Sequence, residues 1–232
     1  RDRLRSRGLG DVYKRQIREC PEALLFGTAG FLLPVLPDSC TAEAVAHHKK
    51  LWTQWWPLRE QFELAPERSF PWTFSGSRPA NHPQRRAGAL AVIAADFATF
   101  KRLCHSGPAE ELADYLSSLR HPYWSTHVTL PSAPSPRPMA LMGRDRILDF
   151  TVNHLFPAKG DEHAWLHYLS LRAGQAGTKV LSVHQSLLGG RPDAKAFLAK
   201  AWHHQALLQI HEDLCSLHSC TVCSLIGRMG KK

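Results

Sequence analysis

Segments of helical periodicity recur along this chain with no strand between them, and that rhythm constrains the fold more than any other feature. TAEAVAHHKKLWTQWWPLREQFEL opens with Thr41 at an N-cap position and Glu43 in the first turn. Val45, Leu51, Trp52, Trp55 and Trp56 supply its apolar face, and Pro57 is expected to break or kink it. Asn81 or His82 caps a helix started by Pro83 and running to about Leu103. Its face reads Ala87, Leu90, Ile93, Ala94, Phe97 and Phe100. PAEELADYLSSL, GRDRILDFTVNHLFP (ended by Pro157), DEHAWLHYLSLR, TKVLSVHQSLL and PDAKAFLAKAWHHQALLQIHEDLC are further helices. ECPEALLFGTAGFLLPVLPDSC reads as a short helix, a turn and an extended stretch. HPYWSTHVTLPSAPSPRPMALMG is Pro- and Ser-rich, the best place for a linker or lid, with at most a small β-hairpin. No internal repeat of fixed period is visible. The fold class is therefore mainly α: one helical domain of about seven to eight helices with long Pro/Ser-rich loops, and a sub-boundary, if any, near 131–140.

The first sixteen residues, RDRLRSRGLGDVYKRQ, lack apolar periodicity. They admit a nucleic-acid-binding basic arm, or a targeting peptide without the apolar stretch of a secretory signal. GLGDVYKRQ most resembles translated sequencing-adapter read-through, a scar to be left out of fold reasoning. On that reading Ile17 is the first informative residue and the chain is a fragment cut at its N-terminus. Charge then matters. The full sequence carries 29 basic and 20 acidic residues. Without the first sixteen, 23 and 18 remain, an excess too small to demand a polyanionic partner. No run of about 18 apolar residues exists, so no membrane partner is expected. Six cysteines, three scattered and three clustered, do not form a disulfide framework in 232 residues, which favours a reducing cytoplasm.

Three groups of residues could carry chemistry. The first is HEDLCSLHSCTVC, where Cys215, Cys220 and Cys223 are spaced C-x4-C-x2-C after a helix. Three thiolates make three-quarters of a tetrahedral shell and would suit zinc or an iron–sulfur cluster. The fourth ligand is open among His211, His218 and the remote Cys104, or comes from another chain. Small, partly buried thiols in a turn are the plainer alternative, and a Cys220–Cys223 disulfide a third.

The second is SRPANHPQRR. Arg78, Asn81, His82, Arg85 and Arg86 gather at a helix N-terminus, where N–H groups and guanidinium groups favour phosphate or nucleic acid. A cap and an ordinary ion pair explain the same residues. The third is polar side chains within apolar helices: Asn153 and His154, then His203, His204 and His211. Asp149 with His154 would make an acid–base pair, although buried polar groups usually have ordinary partners. His47 and His48, beside Lys49 and Lys50, are expected to be solvated. KKLWTQWWPLR mixes basic and aromatic residues in a way that can stack single-stranded bases. No P-loop, G-x-G-x-x-G after a strand, G-x-S-x-G or H-E-x-x-H occurs.

RECPEALLFGTAGFL, LW-x-x-WWPLR-x-x-FEL, SRPANHPQRRAGALA, RHPYWSTH, ILDFTVNHLFP and QALLQIHEDLC with its two further cysteines together resemble a bacterial domain-of-unknown-function family, numbered twenty-eight fifty-one. The similarity extends over nearly all of 17–232. It implies that the chain is the C-terminal part of a longer protein whose upstream half carries Asp, Glu and His motifs of nuclease-like character. The family pattern falls on Arg78, Pro79, Asn81, Pro83, Arg86, Asn153, Cys215, Cys220 and Cys223. The terminal SLIGRMGKK replaces an expected Pro-containing tail. H-x3-C-x4-C-x2-C also resembles, distantly, the C-terminal loop of iron–sulfur DNA glycosylases, without their fourth cysteine or a helix-hairpin-helix. The leading expectation is a non-catalytic helical module with a cysteine metal site that assists nucleic-acid handling by the missing half. The alternatives are a hydrolase built from Arg78, Arg86, Asn153 and His154, and a purely structural or partner-binding domain.

Overall fold

The computed structural model describes residues 20–66, 72, 74 and 81–216. The chain is mainly helical and divides into two compact units, Arg1–Gly143 and Arg144–Lys232.

The first unit holds α1 (Pro21–Thr28), α2 (Ala42–Gln61), α3 (Pro83–Ala95), α4 (Phe97–Ser106) and α5 (Ala109–Ser118). The Thr41 side chain accepts from Ala44 N at 3.2 Å and caps α2. Pro57 does not end α2, which continues to Gln61. Pro57 is exposed, so water can solvate the Thr53 carbonyl that it leaves without a donor. The buried face of α2 is Ala44, His48, Leu51, Trp55 and Leu58, a stripe rotated from the expected one, with Val45 and Trp56 outside. The reason is α1, which packs along α2 through Gly27. A Cβ there would meet Trp55 Cδ2 at 2.1 Å, so the backbone itself forms part of the interface.

Gly88 does the same on α3, where a Cβ would lie 2.4 Å from Trp124 Cγ. The buried face of α3 is accordingly Arg85, Gly88, Ala89 and Ala91, while Leu90 points outward. The expected single helix to Leu103 is two, interrupted at Asp96. His82, not Asn81, caps α3, its Nδ1 accepting from Gln84 N at 3.3 Å.

Residues 119–143 form neither a linker nor a hairpin. Pro131, Pro134, Pro136 and Pro138 withhold the N–H groups a ladder needs. Yet Tyr123, Trp124, His127, Leu130 and Leu141 are buried. Trp124 stacks on Phe26 of α1 with ring centroids 4.9 Å apart. This segment is part of the core it was expected to cover.

The second unit begins with one continuous helical path: α6 (Arg144–Phe150), a π turn (Thr151–Leu155) and α7 (Phe156–Lys159). Pro157 does not stop it. The Phe156 N–H reaches back to Thr151 O, and the widened turn takes up the proline that follows. α8 (Glu162–Ser170) is capped by Asp161, whose Oδ1 accepts from Ala164 N at 2.7 Å. α9 (Thr178–Leu188) packs on α10 (Ala201–Ile210) around Val180, Val183 and Leu207. The expected helix over 192–215 is three pieces: a 3₁₀ turn (Ala194–Leu198), α10 and a second π turn (His211–Cys215). Arg172 and Lys200 pair at the break, the one isolated β-bridge among the described residues. No helix among those residues is long and apolar enough to cross a membrane.

Candidate functional site

Glu22, in the first turn of α1, is the most enclosed carboxylate centre of the first unit. Its Oε1 lies 2.8 Å from His47 Nε2 of α2 and accepts from Trp124 Nε1 at 2.5 Å. Its Oε2 lies 3.2 Å from His121 Nε2. Burial alone would raise its pKa, but the bonds and charge of His121 and His47 outweigh that and lower it to about 2. A carboxylate so satisfied is a poor general base at neutral pH.

The tautomer of His121 narrows the chemistry further. Its Nδ1 accepts from Tyr123 N and Trp124 N, each at 3.2 Å, so its proton sits on Nε2. An Nε2 that carries a proton cannot ligate a metal. Among the described residues no group of three His, Cys, Asp or Glu side chains has the geometry to hold a metal ion. The centre therefore ties α1, α2 and the 121–124 turn together. His47 stacks on Tyr123 at 3.9 Å and Tyr123 on His127 at 3.8 Å, a three-ring column. Burial first, then the charges of Glu43, Cys40 and Glu22, push the Tyr123 hydroxyl up, and it donates to Leu130 O. His127 donates from Nδ1 to Tyr123 O at 3.0 Å, and its buried Nε2 faces Glu43 Oε2 at 3.8 Å.

His47 and His48 are thus not solvated. His48 is buried, with Nε2 2.8 Å from Leu33 O. Arg85 also departs from expectation. Its guanidinium is buried and donates to Met139 O at 2.7 Å and to Ala140 O at 3.0 Å. Burial lowers its pKa without removing its charge. It anchors 139–140 rather than meeting an anion. Arg86, its neighbour, is exposed; Asn81 and His82 are half-buried. Burial lowers the pKa of His82 and favours the neutral ring. Arg78 lies outside the described residues.

Beside this framework runs a groove of about 810 Å³. Trp52, Trp55 and Trp56 of α2 line it together with Phe31, Trp72 and Phe74. Phe31 lies against Trp72 at 4.7 Å, and Trp72 donates Nε1–H to Ala29 O at 3.0 Å. The Arg59 guanidinium sits 4.9 Å from the centre of the Trp56 ring. Phe74 is 50% exposed and stacks on His82, the α3 cap, at 5.3 Å. Arg59 is the one charged side chain among the described lining residues.

In the second unit, Asn153 and His154 are both exposed on the π turn. Asn153 Nδ2 donates to Asp149 O at 2.9 Å, and its Oδ1 accepts from Gln205 Nε2 at 3.3 Å. Asp149 pairs with Arg146 at 3.3 Å, and His154 lies against Phe150, so the expected Asp149–His154 pair is replaced by other contacts. Arg86 belongs to the first unit and Asn153 and His154 to the second. Cys215 ends the second π turn and packs, half-buried, on the Val180–Leu207 cluster. His211 Nδ1 lies 3.4 Å from Glu212 Oε1. Cys104 is half-buried on α4 of the first unit. His218, Cys220 and Cys223 lie outside the described residues, as does the basic opening segment.

These features define a helical protein with a pinned carboxylate centre and an aromatic groove. The chain belongs to the family described as Protein of unknown function (DUF2851), whose model matches residues 11–165. The match spans the first unit, the Asn153 turn and the start of α8, and stops before the cysteine cluster. No curated protein and no solved structure matches the chain.

Proposed function

We propose that this chain is a non-catalytic helical module that binds single-stranded nucleic acid through the aromatic groove of its first unit. The observation that carries the reading is the groove's lining: partly exposed rings at Trp56 and Phe74, a guanidinium on Trp56, and no carboxylate among the described lining residues. Bases stack on such rings whatever their sequence, while cations hold the backbone. Arg86 sits exposed on the first turn of α3, two residues from groove-lining Gln84, and Lys49 and Lys50 are exposed on α2. The nuclease-like upstream half implied by the family resemblance is the partner such a module would serve.

A titration of the protein with oligo(dT), followed by tryptophan fluorescence at rising salt, tests this. Quenching with a negative slope of affinity against salt is expected. Trp56→Ala should weaken binding roughly tenfold, the worth of one stacked base. An oligomer of abasic sites that binds as well as oligo(dT) would refute stacking, and absence of any complex at low salt would refute the function.

The cysteine cluster belongs to the same proposal as a structural site for zinc or an iron–sulfur cluster, held by Cys215, Cys220 and Cys223 with His211 or His218 as fourth ligand. Three soft ligands at this spacing support it. Elemental analysis of anaerobically purified protein beside a C220A/C223A variant decides it. About one zinc, or several irons with a visible absorption band, lost in the variant, is the expected result, and none in either protein removes the site.

A further inference from the structure

The second unit carries a cavity of about 750 Å³ that none of the preceding roles uses. Its walls are aromatic. Trp165 is 58% exposed at the mouth, and its ring lies 5.6 Å from Tyr168 at 41°. Phe156, behind, meets Tyr168 at 6.3 Å and 65°. The three rings are inclined to one another rather than stacked face to face.

Among the described lining residues the charged side chains are acidic, beside the amides of Asn153 and Gln205 and the N–H and O–H groups of Trp165 and Tyr168. Glu162 is an exposed carboxylate, and Asp161 a second, one of whose oxygens caps α8. Asn153 donates one amide N–H to Asp149 O, and its Oδ1 accepts from Gln205 Nε2. Pro157 has no N–H to give the Asn153 carbonyl, and the Phe156 N–H has gone to Thr151 O. Among the described lining residues two are acidic and none is basic, in a chain with 29 basic residues against 20 acidic.

We infer that this cavity binds a small organic ammonium ion, held by the faces of Trp165, Tyr168 and Phe156 with the Glu162 carboxylate beside it. A phosphate or carboxylate ligand would meet repulsion from Asp161 and Glu162 and find no guanidinium or ammonium partner among the lining residues. An uncharged apolar ligand would fill the rings but leave the acceptors without donors. A positive charge without a strong hydration shell satisfies both, through the ring quadrupoles and the carboxylates.

The test uses the full chain and tetramethylammonium, with tert-butanol as an uncharged probe of near-equal size and glucose as a polyhydroxylated one. Saturation-transfer NMR should show saturable tetramethylammonium binding, with neither control competing. Trp165→Ala should weaken it roughly tenfold, Glu162→Gln should weaken it by a smaller factor, and Trp56→Ala in the other unit should leave it unchanged. Both cavity variants replace exposed side chains, and circular dichroism checks that they fold. Equal binding of tert-butanol would make the cavity merely apolar, preferred binding of glucose would make it a sugar site, and no saturable signal from tetramethylammonium would empty it of this role. Each of those three results overturns the inference.

Discussion

The two cavities are nearly equal in volume, about 810 and 750 Å³, and opposite in lining. The first is tryptophan-rich with one guanidinium; the second has three rings, two carboxylates and two side-chain amides. The scaffolds behind them differ as much. Every one of the largest fully buried side chains except Val183 belongs to the first unit, and two of them, Arg85 and His127, are polar. Both units leave large apolar side chains exposed, among them Val35 and Phe74 in the first and Trp165 and Leu166 in the second, while the second contains two π turns. One unit is fixed by buried polar ties between distant segments; the other rests on local helix packing around a small cluster. Rings on a rigid frame would suit the proposed stacking of several bases in register, whereas the proposed ammonium cage would need only one contact geometry.

The sharpest way to break this contrast is Arg85→Met. Methionine keeps much of the volume but takes the guanidinium donors from the Met139 and Ala140 carbonyls. Loss of such a donor to neutral carbonyls costs about 1–3 kcal/mol. Urea unfolding should show that loss, and limited proteolysis should open 131–143 first. A cost under about 1 kcal/mol, the ordinary surface range, would mean that the segment is held by Trp124 and Leu130 alone.

Glu22 gives an effect of the same order, and it can be read from pH. Its folded pKa of about 2 lies below the ordinary 4.5. A depressed carboxylate pKa stabilises the fold above 4.5, and that stability is lost as pH falls from 4.5 through 2. The shift corresponds to roughly 3 kcal/mol as an upper figure. The midpoint of urea unfolding should therefore drop steeply across that window. Glu22→Gln should flatten the drop and cost about 2 kcal/mol at pH 7, because the amide presents N–H where His47, His121 and Trp124 also bring N–H. An unchanged acid limb in the variant would show that other carboxylates govern acid unfolding.

The helices were legible in the sequence because caps and periodicity are local. Thr41, Pro83 and Asp161 sit where the structure starts α2, α3 and α8. Faces were not legible where the buried stripe is built from backbone. Gly88 and Ala89 attract no attention on a hydrophobicity scale, yet Trp124 seats on them. The two prolines at Pro57 and Pro157 read as stops because a donor is lost, and neither is one, since solvent exposure and a π turn absorb the loss. The Pro/Ser-rich 121–143 looked like linker by composition although HPYWSTH within it carries the core aromatics. The Trp-rich stretch of α2 did announce the groove. The Glu22 centre did not, because its members stand 25 to 102 residues apart and only the fold reveals that they meet. A signal existed in Glu22 itself, a lone acid opening an otherwise apolar helix.

Trp165→Ala should have the smallest effect on stability, and it sharpens the comparison most cleanly. Its ring is more than half exposed and rests on Tyr168 alone among the ring contacts described. Removing a ring that is already 58% exposed takes little buried area from the unit, so unfolding should shift by no more than about 0.5 kcal/mol. Tryptophan is an expensive side chain to leave in water, with a large apolar body and one N–H. Where the fold gains nothing from it, its surface is kept for something outside the chain. A loss of 2 kcal/mol or more, typical of a core truncation, would place Trp165 among the packing residues and turn the aromatic cage into a loosely covered part of the core. A neutral result, with the tetramethylammonium site lost in the same variant, would separate ligand binding from stability in the second unit, a separation the first unit's buried ties do not permit.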